Sequence, residues 1–102
     1  MNLKIYEQSQ NISTLEINNY LKKRKVDPKY KGFTYLRSAI KRCIKDREKP
    51  IVVNQLMMDI AKDYNTYPVQ VYKNIIYALY KSLDSKFGVK QFIVIAVFEL
   101  TN

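Results

Sequence analysis

Lysine and arginine are concentrated in one part of this 102-residue sequence. Residues 22 to 49 contain twelve Lys and Arg residues against three Asp and Glu residues, so this segment carries the whole formal net charge of +9. Cations at this density can neutralise phosphates and release the counterions that a nucleic acid condenses. The segment therefore favours nucleic acid as the partner, with the codon bias of an AT-rich genome as the alternative explanation for its lysines.

A second set of polar residues recurs at intervals of three and four between residues 70 and 81. This spacing places side chains on one face of a helix, and Lys, Gln and Asn hydrogen-bond to base edges. Asn and Gln can each pair with adenine through two hydrogen bonds, so we expect a site that contains A·T pairs. Lys81 extends this face, and the residues that we expect to read bases are Gln70, Lys73, Asn74 and Tyr77.

Catalytic chemistry is poorly represented in the chain. It contains no histidine, which removes the usual general base, the common nucleophile pairs and the commonest zinc ligand. Cys43 is the single cysteine, so no intramolecular disulfide forms, and we expect a small core residue in a cytoplasmic protein. Two glycines leave no glycine-rich phosphate loop. We predict no enzyme, no cofactor, no metal and no small-molecule substrate.

The composition predicts one all-α domain over residues 1–102, a compact bundle of five to six helices with residues 1–11 as a flexible arm. A hydrophobic content of 47% is enough for a single core, and two glycines and three prolines are few for a fold built from tight hairpins. The apolar runs are too short to span a membrane or to act as a secretory signal. We therefore expect no membrane contact.

Local signals predict the first three helices. Ser13 and Glu16 form a capping box for a helix over residues 14–25, which we expect to bury Leu15 and Ile17 or Leu21 and to end before Pro28. A second helix over 33–46 has an apolar face. That face comprises Leu36, Ala39, Ile40, Cys43 and Ile44. A third helix, over 54–64, has an apolar stripe of its own, comprising Leu56, Met57, Ile60, Ala61 and Tyr64.

A short turn connects the third predicted helix to a fourth. Asn65 tolerates the left-handed conformation that ends a helix, Thr66 can cap the next helix, and Pro68 suits its first turn. The fourth helix would continue to about Ser82 and bury Val71, Ile75, Ala78 and Leu79. Two helices joined in this way form a helix-turn-helix, whose second helix enters the major groove of DNA while the first braces it.

The last segment and one side of the fourth helix admit two interpretations each. Residues 92–98 are β-branched and aromatic, but no second strand is evident, so we predict a buried final helix. Tyr72, Ile76 and Tyr80 add an apolar stripe to the fourth helix. We expect this stripe to pack under the final helix. The alternative is a protein-interaction module that binds a partner regulator or self-associates without reading DNA.

Two ordered blocks resemble the C-terminal effector domain of the stage zero sporulation protein A family. Residues 31–40 read Lys-Gly-Phe-Thr-Tyr-Leu-Arg-Ser-Ala-Ile, and residues 59–66 read Asp-Ile-Ala-Lys-Asp-Tyr-Asn-Thr. The resemblance implies a six-helix DNA-binding transcriptional regulator whose second motif helix reads the major groove. It implies double-stranded DNA as the partner, with contact to RNA polymerase and a homodimer on DNA as further expectations.

Residue by residue, the resemblance places Gln70, Lys73 and Tyr77 toward the groove and Lys62, Thr66 and Tyr67 near phosphates. From the basic segment we add four further phosphate-contacting residues. These are Lys31, Lys41, Arg42 and Lys45. The family's recognition helix carries arginines and a glutamate where this chain has Gln70, Tyr72, Lys73 and Ile76. We therefore do not transfer the family's target sequence to this chain.

Overall fold

The structure is a computed structural model that describes residues 12–82 and 86–102. The predicted arm, residues 1–11, lies outside the described residues. Within the described part of the chain all regular structure is helical, which confirms the all-α prediction. The segment over residues 92–98 belongs to a helix and not to a strand.

Five helices occupy the described residues. They are α1 (Thr14–Lys23), α2 (Lys31–Lys45), α3 (Val53–Asp63), α4 (Pro68–Tyr80) and α5 (Val89–Thr101). Helix α2 is the centre of the bundle because it packs against each of the other four, most extensively against α4. Helix α4 packs in addition on α3, and α1 packs in addition on α5.

The predicted cap of α1 is present, but the prediction that Leu15 belongs to the core is wrong. The Ser13 hydroxyl oxygen accepts a hydrogen bond from the Glu16 backbone N–H at 3.1 Å. Ile17 and Leu21 are fully buried, whereas Leu15 is 66% exposed, because α2 and α5 cover only the opposite side of this short helix. The helix ends at Lys23, and Lys25 takes a left-handed φ of 67° ahead of the connection to α2.

The turn between α3 and α4 follows its predicted chemistry with one exception. Asn65 has a left-handed φ of 52°, and the Thr66 backbone N–H donates to the Ala61 carbonyl at 2.9 Å to close the end of α3. Pro68 occupies the first turn of α4 as predicted. Thr66 is not the cap, because α4 begins one residue later and Tyr67 holds that position without a side-chain hydrogen bond.

The apolar stripes of α2 to α5 form one core. Its fully buried members include Leu36, Ile40, Ile60, Ile75 and Phe92, which come from four different helices. Two predicted stripe residues lie at its margin instead. Tyr64 is exposed and its ring makes an edge-on contact with the ring of Tyr35, and Cys43 is half-buried against the core.

A polar cluster joins α1 to α5 at the edge of the core. The Tyr20 hydroxyl and the Arg24 guanidinium both donate to Glu99 Oε1, at 2.5 and 2.9 Å, and Arg24 also lies over the ring of Phe92. Burial, followed by the hydrogen bond to Glu99, raises the pKa of Tyr20 well above its ordinary value. The tyrosine therefore stays protonated and continues to donate, which holds the last helix against the first.

Gly32 lies where the start of α2 approaches the backbone of α4. A Cβ atom at this position would lie 2.1 Å from the Asn74 carbonyl oxygen and 2.7 Å from the Ala78 Cβ. Because the nearest group is backbone, no side-chain rotation relieves this clash. The start of α2 therefore contacts the backbone of α4, and any larger residue at position 32 pushes the two helices apart.

We expect Gly32→Ala to lower the free energy of unfolding. Alanine adds up to about 1 kcal/mol of helix propensity, but overpacking against backbone costs about 1–3 kcal/mol or more. Chemical denaturation monitored by circular dichroism measures the difference. Gly88→Ser is the matched control, because a Cβ at Gly88 meets nothing within 4 Å and serine is a good N-cap for α5. Unchanged stability of the Gly32 variant would contradict the close contact.

We also expect the Cys43 thiol to react slowly. Burial, with a smaller effect from the Asp46 carboxylate, raises the pKa of Cys43 from 9.0 to about 11. Only the thiolate attacks alkylating agents, so the reactive fraction near neutral pH is about 100-fold below that of an ordinary cysteine. The iodoacetamide rate in the folded protein should keep rising until the pH passes about 11. The urea-unfolded chain serves as the control, and equal rates in the two states would contradict the prediction.

Candidate nucleic-acid interface

Helices α3 and α4 are the two helices that the sequence predicts to form a helix-turn-helix. Four residues, Tyr64 to Tyr67, separate the end of α3 at Asp63 from the start of α4 at Pro68. Helix α4 is held from two sides, by α3 and by the start of α2. Its remaining surface is therefore the one that a ligand can reach.

The exposed side of α4 has a central stripe of four residues. Val71, Ile75, Ala78 and Leu79 are buried as predicted and define the inner side. At 100° per residue, four other positions lie within about 60° of one another on the opposite side of the helix. These are Val69, Lys73, Ile76 and Tyr80, and all four are exposed. We call them the outer stripe.

The predicted base-reading residues divide between this stripe and its edge. Lys73 lies on the outer stripe, and its side chain is exposed. Gln70, Asn74 and Tyr77 lie on the edge that faces α2. Asn74 is half-buried where Gly32 meets its backbone, and its side-chain amide donates to the Gln70 carbonyl at 2.8 Å.

Tyr77 is engaged by the connection between α1 and α2. Its ring is half exposed and packs edge-on against the ring of Tyr30, with 5.2 Å between the centroids. The Lys81 ammonium lies over the ring of Tyr77 and the Lys29 ammonium lies over the ring of Tyr30. An aromatic pair flanked by two cations therefore borders the C-terminal half of α4. Lys31, the next residue after Tyr30, is exposed.

The remaining predicted phosphate-contacting residues form two groups. Lys62, Thr66 and Tyr67 surround the turn, where Lys62 and Tyr67 are exposed and Thr66 is half-buried. The second group lies further along α2, outside the immediate surroundings of α4.

The members of that second group differ in their contacts. The Lys41 ammonium donates to the Thr14 hydroxyl at 3.0 Å on the side of α2 that faces α1. Lys45 is exposed near the end of α2. Arg42 forms an ion pair with Asp63 at the end of α3, which offsets its charge close to the turn.

Sequence reasoning did not assign Lys29, Tyr30 or Val69 to the site. It assigned Ile76 and Tyr80 to packing or, alternatively, to a protein contact. Lys29 contributes less charge than its type suggests, because its ammonium lies 3.8 Å from an Asp27 carboxylate oxygen. The contact between Tyr30 and Tyr77 joins distant parts of the chain, so no local pattern signals it. The 3.6-residue period was the signal that could have placed Val69 in line with Ile76 and Tyr80.

Tyr72, Ile76 and Tyr80 do not pack under α5, contrary to the expectation. They are 40, 44 and 65% exposed, because α2 and α3 provide the main packing of α4 and α5 packs mainly on α2. Tyr72 instead lines an open apolar groove of about 870 Å³ between the beginnings of α3, α4 and α5. Met57, Met58 and Val69 also line this groove.

Other kinds of site are not evident in residues 12–82 and 86–102. No group of three or more Cys, Asp or Glu side chains in this part of the chain is arranged to hold a metal ion. No helix there combines the length and apolar character that crossing a membrane requires.

Comparison with protein-family models matches residues 17–93 to the family described as sporulation initiation factor Spo0A C terminal. The matched range contains α2, α3 and α4 completely, together with every residue proposed above for base or phosphate contact. No curated protein and no solved structure gives a significant match. Since the family model covers most of the chain, this protein belongs to the Spo0A C-terminal family of DNA-binding domains from sporulation regulators.

Proposed function

We propose that the protein regulates transcription by placing α4 in the major groove of duplex DNA, with α3 bracing it across the backbone. One observation carries the proposal: the exposed side of α4 presents Lys73 at its centre and has cations along its borders. Lys31 and Lys81 lie beside the C-terminal half of α4, and Lys62 lies close to the turn that precedes it. A helix fits the width of the major groove, and the bordering cations suit the phosphates on either side.

Lys73 is the principal base-reading residue in this proposal. Its ammonium donates to the acceptors that guanine presents in the major groove, N7 and O6. Gln70 lies one turn earlier on the neighbouring edge and supplies the amide that pairs with adenine. Asn74 already donates to the Gln70 carbonyl, so a two-bond contact from Asn74 to adenine requires that bond to open. Tyr77 sits beside the bases with its orientation set by Tyr30.

The phosphate contacts fall into two groups by position. Lys31, Lys62, Thr66 and Tyr67 border α4 and hold the nearest phosphates. Lys41, Arg42 and Lys45 act further out on α2, with Arg42 contributing least because Asp63 pairs with it. These contacts fix the register of the helix on the duplex and carry no sequence information. Contact with RNA polymerase and pairing of two copies on DNA are further parts of the proposal.

We expect Lys73 and the outer α2 lysines to act differently on DNA. The binding free energy should favour a duplex selected from a random pool over a random duplex. Lys73→Ala should reduce this difference by about 1–3 kcal/mol. Lys41→Ala or Lys45→Ala should weaken binding to both duplexes alike. Each should also reduce the slope of the logarithm of the binding constant against the logarithm of the salt concentration by about one. Fluorescence anisotropy at several salt concentrations measures both effects.

Lys23→Ala is the charge-matched control, because Lys23 lies on α1, which packs mainly on α2 and α5. Lys23→Ala should change neither the preference for the selected duplex nor the salt dependence of binding appreciably. Equal losses on both duplexes for Lys73, Lys41 and Lys45 would show that α4 does not read sequence. A salt slope near zero for the wild-type protein would remove DNA binding through these cations altogether.

A second candidate function is contact with a partner protein through the apolar groove. The exposed Met58, Val69 and Tyr72 side chains at the groove favour it, because clustered apolar side chains often mark protein contacts. A second copy of the chain is the occupant that can be tested directly. This surface shares Val69 with the outer stripe and extends from it toward the beginnings of α3 and α5.

We expect Met58→Gln, Tyr72→Gln to keep the sedimentation coefficient and the DNA affinity of the wild-type chain. Glutamine preserves helix propensity and charge while it removes the apolar surface. Sedimentation velocity over a range of concentrations, with and without duplex, gives the measurement. A wild-type dimer that the double variant converts to a monomer, at unchanged DNA affinity per site, would favour the second candidate instead.

A further inference from the structure

The outer stripe of α4 is mainly apolar, although it is the part of the helix that points away from the protein. Val69, Ile76 and Tyr80 are each more than two-fifths exposed, and they lie in line with Lys73. The stripe extends over about 16 Å at a rise of 1.5 Å per residue. Three exposed apolar side chains in line on one helix indicate a surface that excludes water when its ligand is bound.

The position of Lys73 decides what covers this stripe. A partner protein would bury the ammonium among apolar side chains, and lysine is depleted at the centres of protein interfaces because unpaired buried charge is costly. The major groove combines both kinds of complement. Guanine N7 and O6 and thymine O4 accept hydrogen bonds from an ammonium, and the thymine 5-methyl group is an apolar contact on the same groove floor. DNA therefore complements the whole stripe, whereas a partner protein would have to place a carboxylate against Lys73 within an otherwise apolar contact.

We propose that the outer stripe reads thymine through its methyl group, with Ile76 and Val69 packing on thymine 5-methyl groups on either side of the base pair that Lys73 contacts. This inference rests on the proposed placement of α4 in the major groove. Ile76 is the leading residue, because it follows Lys73 by three positions and its β-branched side chain has few rotamers, which lowers the entropy lost on contact. The residues of the stripe thereby select T·A over C·G at positions where no hydrogen bond is made.

Deoxyuridine isolates the methyl group, because it keeps the base pair and the O4 acceptor of thymine. In the duplex selected from a random pool, each thymine is replaced singly by deoxyuridine, and affinity is measured by fluorescence anisotropy. We expect at least one position at which the wild-type chain binds about fourfold more weakly for the one methyl group lost. At that position, Ile76→Ala or Val69→Ala should bring the ratio of the affinities for the thymine and deoxyuridine duplexes close to one.

Two further variants control the experiment. Phe98→Ala removes an exposed apolar side chain from α5 and should keep the full thymine dependence. Ile76→Val keeps the branching at Cβ, removes only the terminal Cδ1 methyl group and should keep most of the thymine dependence. Circular dichroism verifies that each variant is folded, and Val69→Ala preserves the test if Ile76→Ala does not fold.

The possible outcomes separate this inference from the proposed function. Equal affinity for thymine and deoxyuridine duplexes, with specificity still lost in Lys73→Ala, overturns methyl reading and leaves α4 in the groove. A deoxyuridine penalty that persists unchanged in both Ile76→Ala and Val69→Ala also overturns it. If neither Lys73→Ala nor deoxyuridine affects specificity, both proposals fail. A free dimer that Ile76→Ala dissociates, without any thymine dependence, assigns the stripe to a second copy and overturns the inference.

Discussion

The contact between Gly32 and the backbone of α4 determines how this domain presents its exposed helix. Position 32 has no room for a Cβ atom, since the Asn74 carbonyl oxygen and Ala78 occupy that space. Helix α2, which contacts all the other described helices, is thereby fixed directly to α4. The angle of α4 is thus set by backbone contact with the centre of the bundle. Its outward side chains take little part in holding it there.

The distribution of charge follows from the same packing. Residues 22 to 49 hold the whole net charge of +9 in sequence, but α2 spreads it over several sides of the molecule. Lys31 reaches the border of α4, Lys41 turns toward α1, and Arg42 is paired with Asp63. A basic segment in sequence is therefore not one basic surface in space. The cations beside α4 come from the connection before α2, the start of α2, the end of α3 and the end of α4 itself.

Much of the fold could be predicted because its signals are local. The capping box at Ser13, the left-handed Asn65 and Pro68 after the turn each depend on neighbours within a few residues, and each is present. The final helix could be predicted because a lone strand would leave its backbone unpaired. Helical spacing also identified the buried side of α4 correctly.

The errors share one physical cause. Periodicity gives the angle between two side chains on a helix, but it does not tell which neighbouring helix covers each side. Leu15 and Ile76 have the spacing of core residues and lie where no helix covers them. Periodicity likewise does not show that the Asn74 backbone lies against Gly32, or that Tyr77 meets Tyr30 from a distant part of the chain. Such contacts depend on tertiary packing alone.

The separation of anchoring and outward residues on α4 bears on how such a domain diversifies. Because Val71, Ile75 and the backbone at Asn74 hold the helix, replacing Val69, Lys73 or Ile76 removes few contacts within the protein. Exposed substitutions of this kind usually change folding stability by less than about 0.5 kcal/mol. If α4 reads DNA as proposed, one scaffold acquires a new operator preference by single steps, each of which leaves a folded protein.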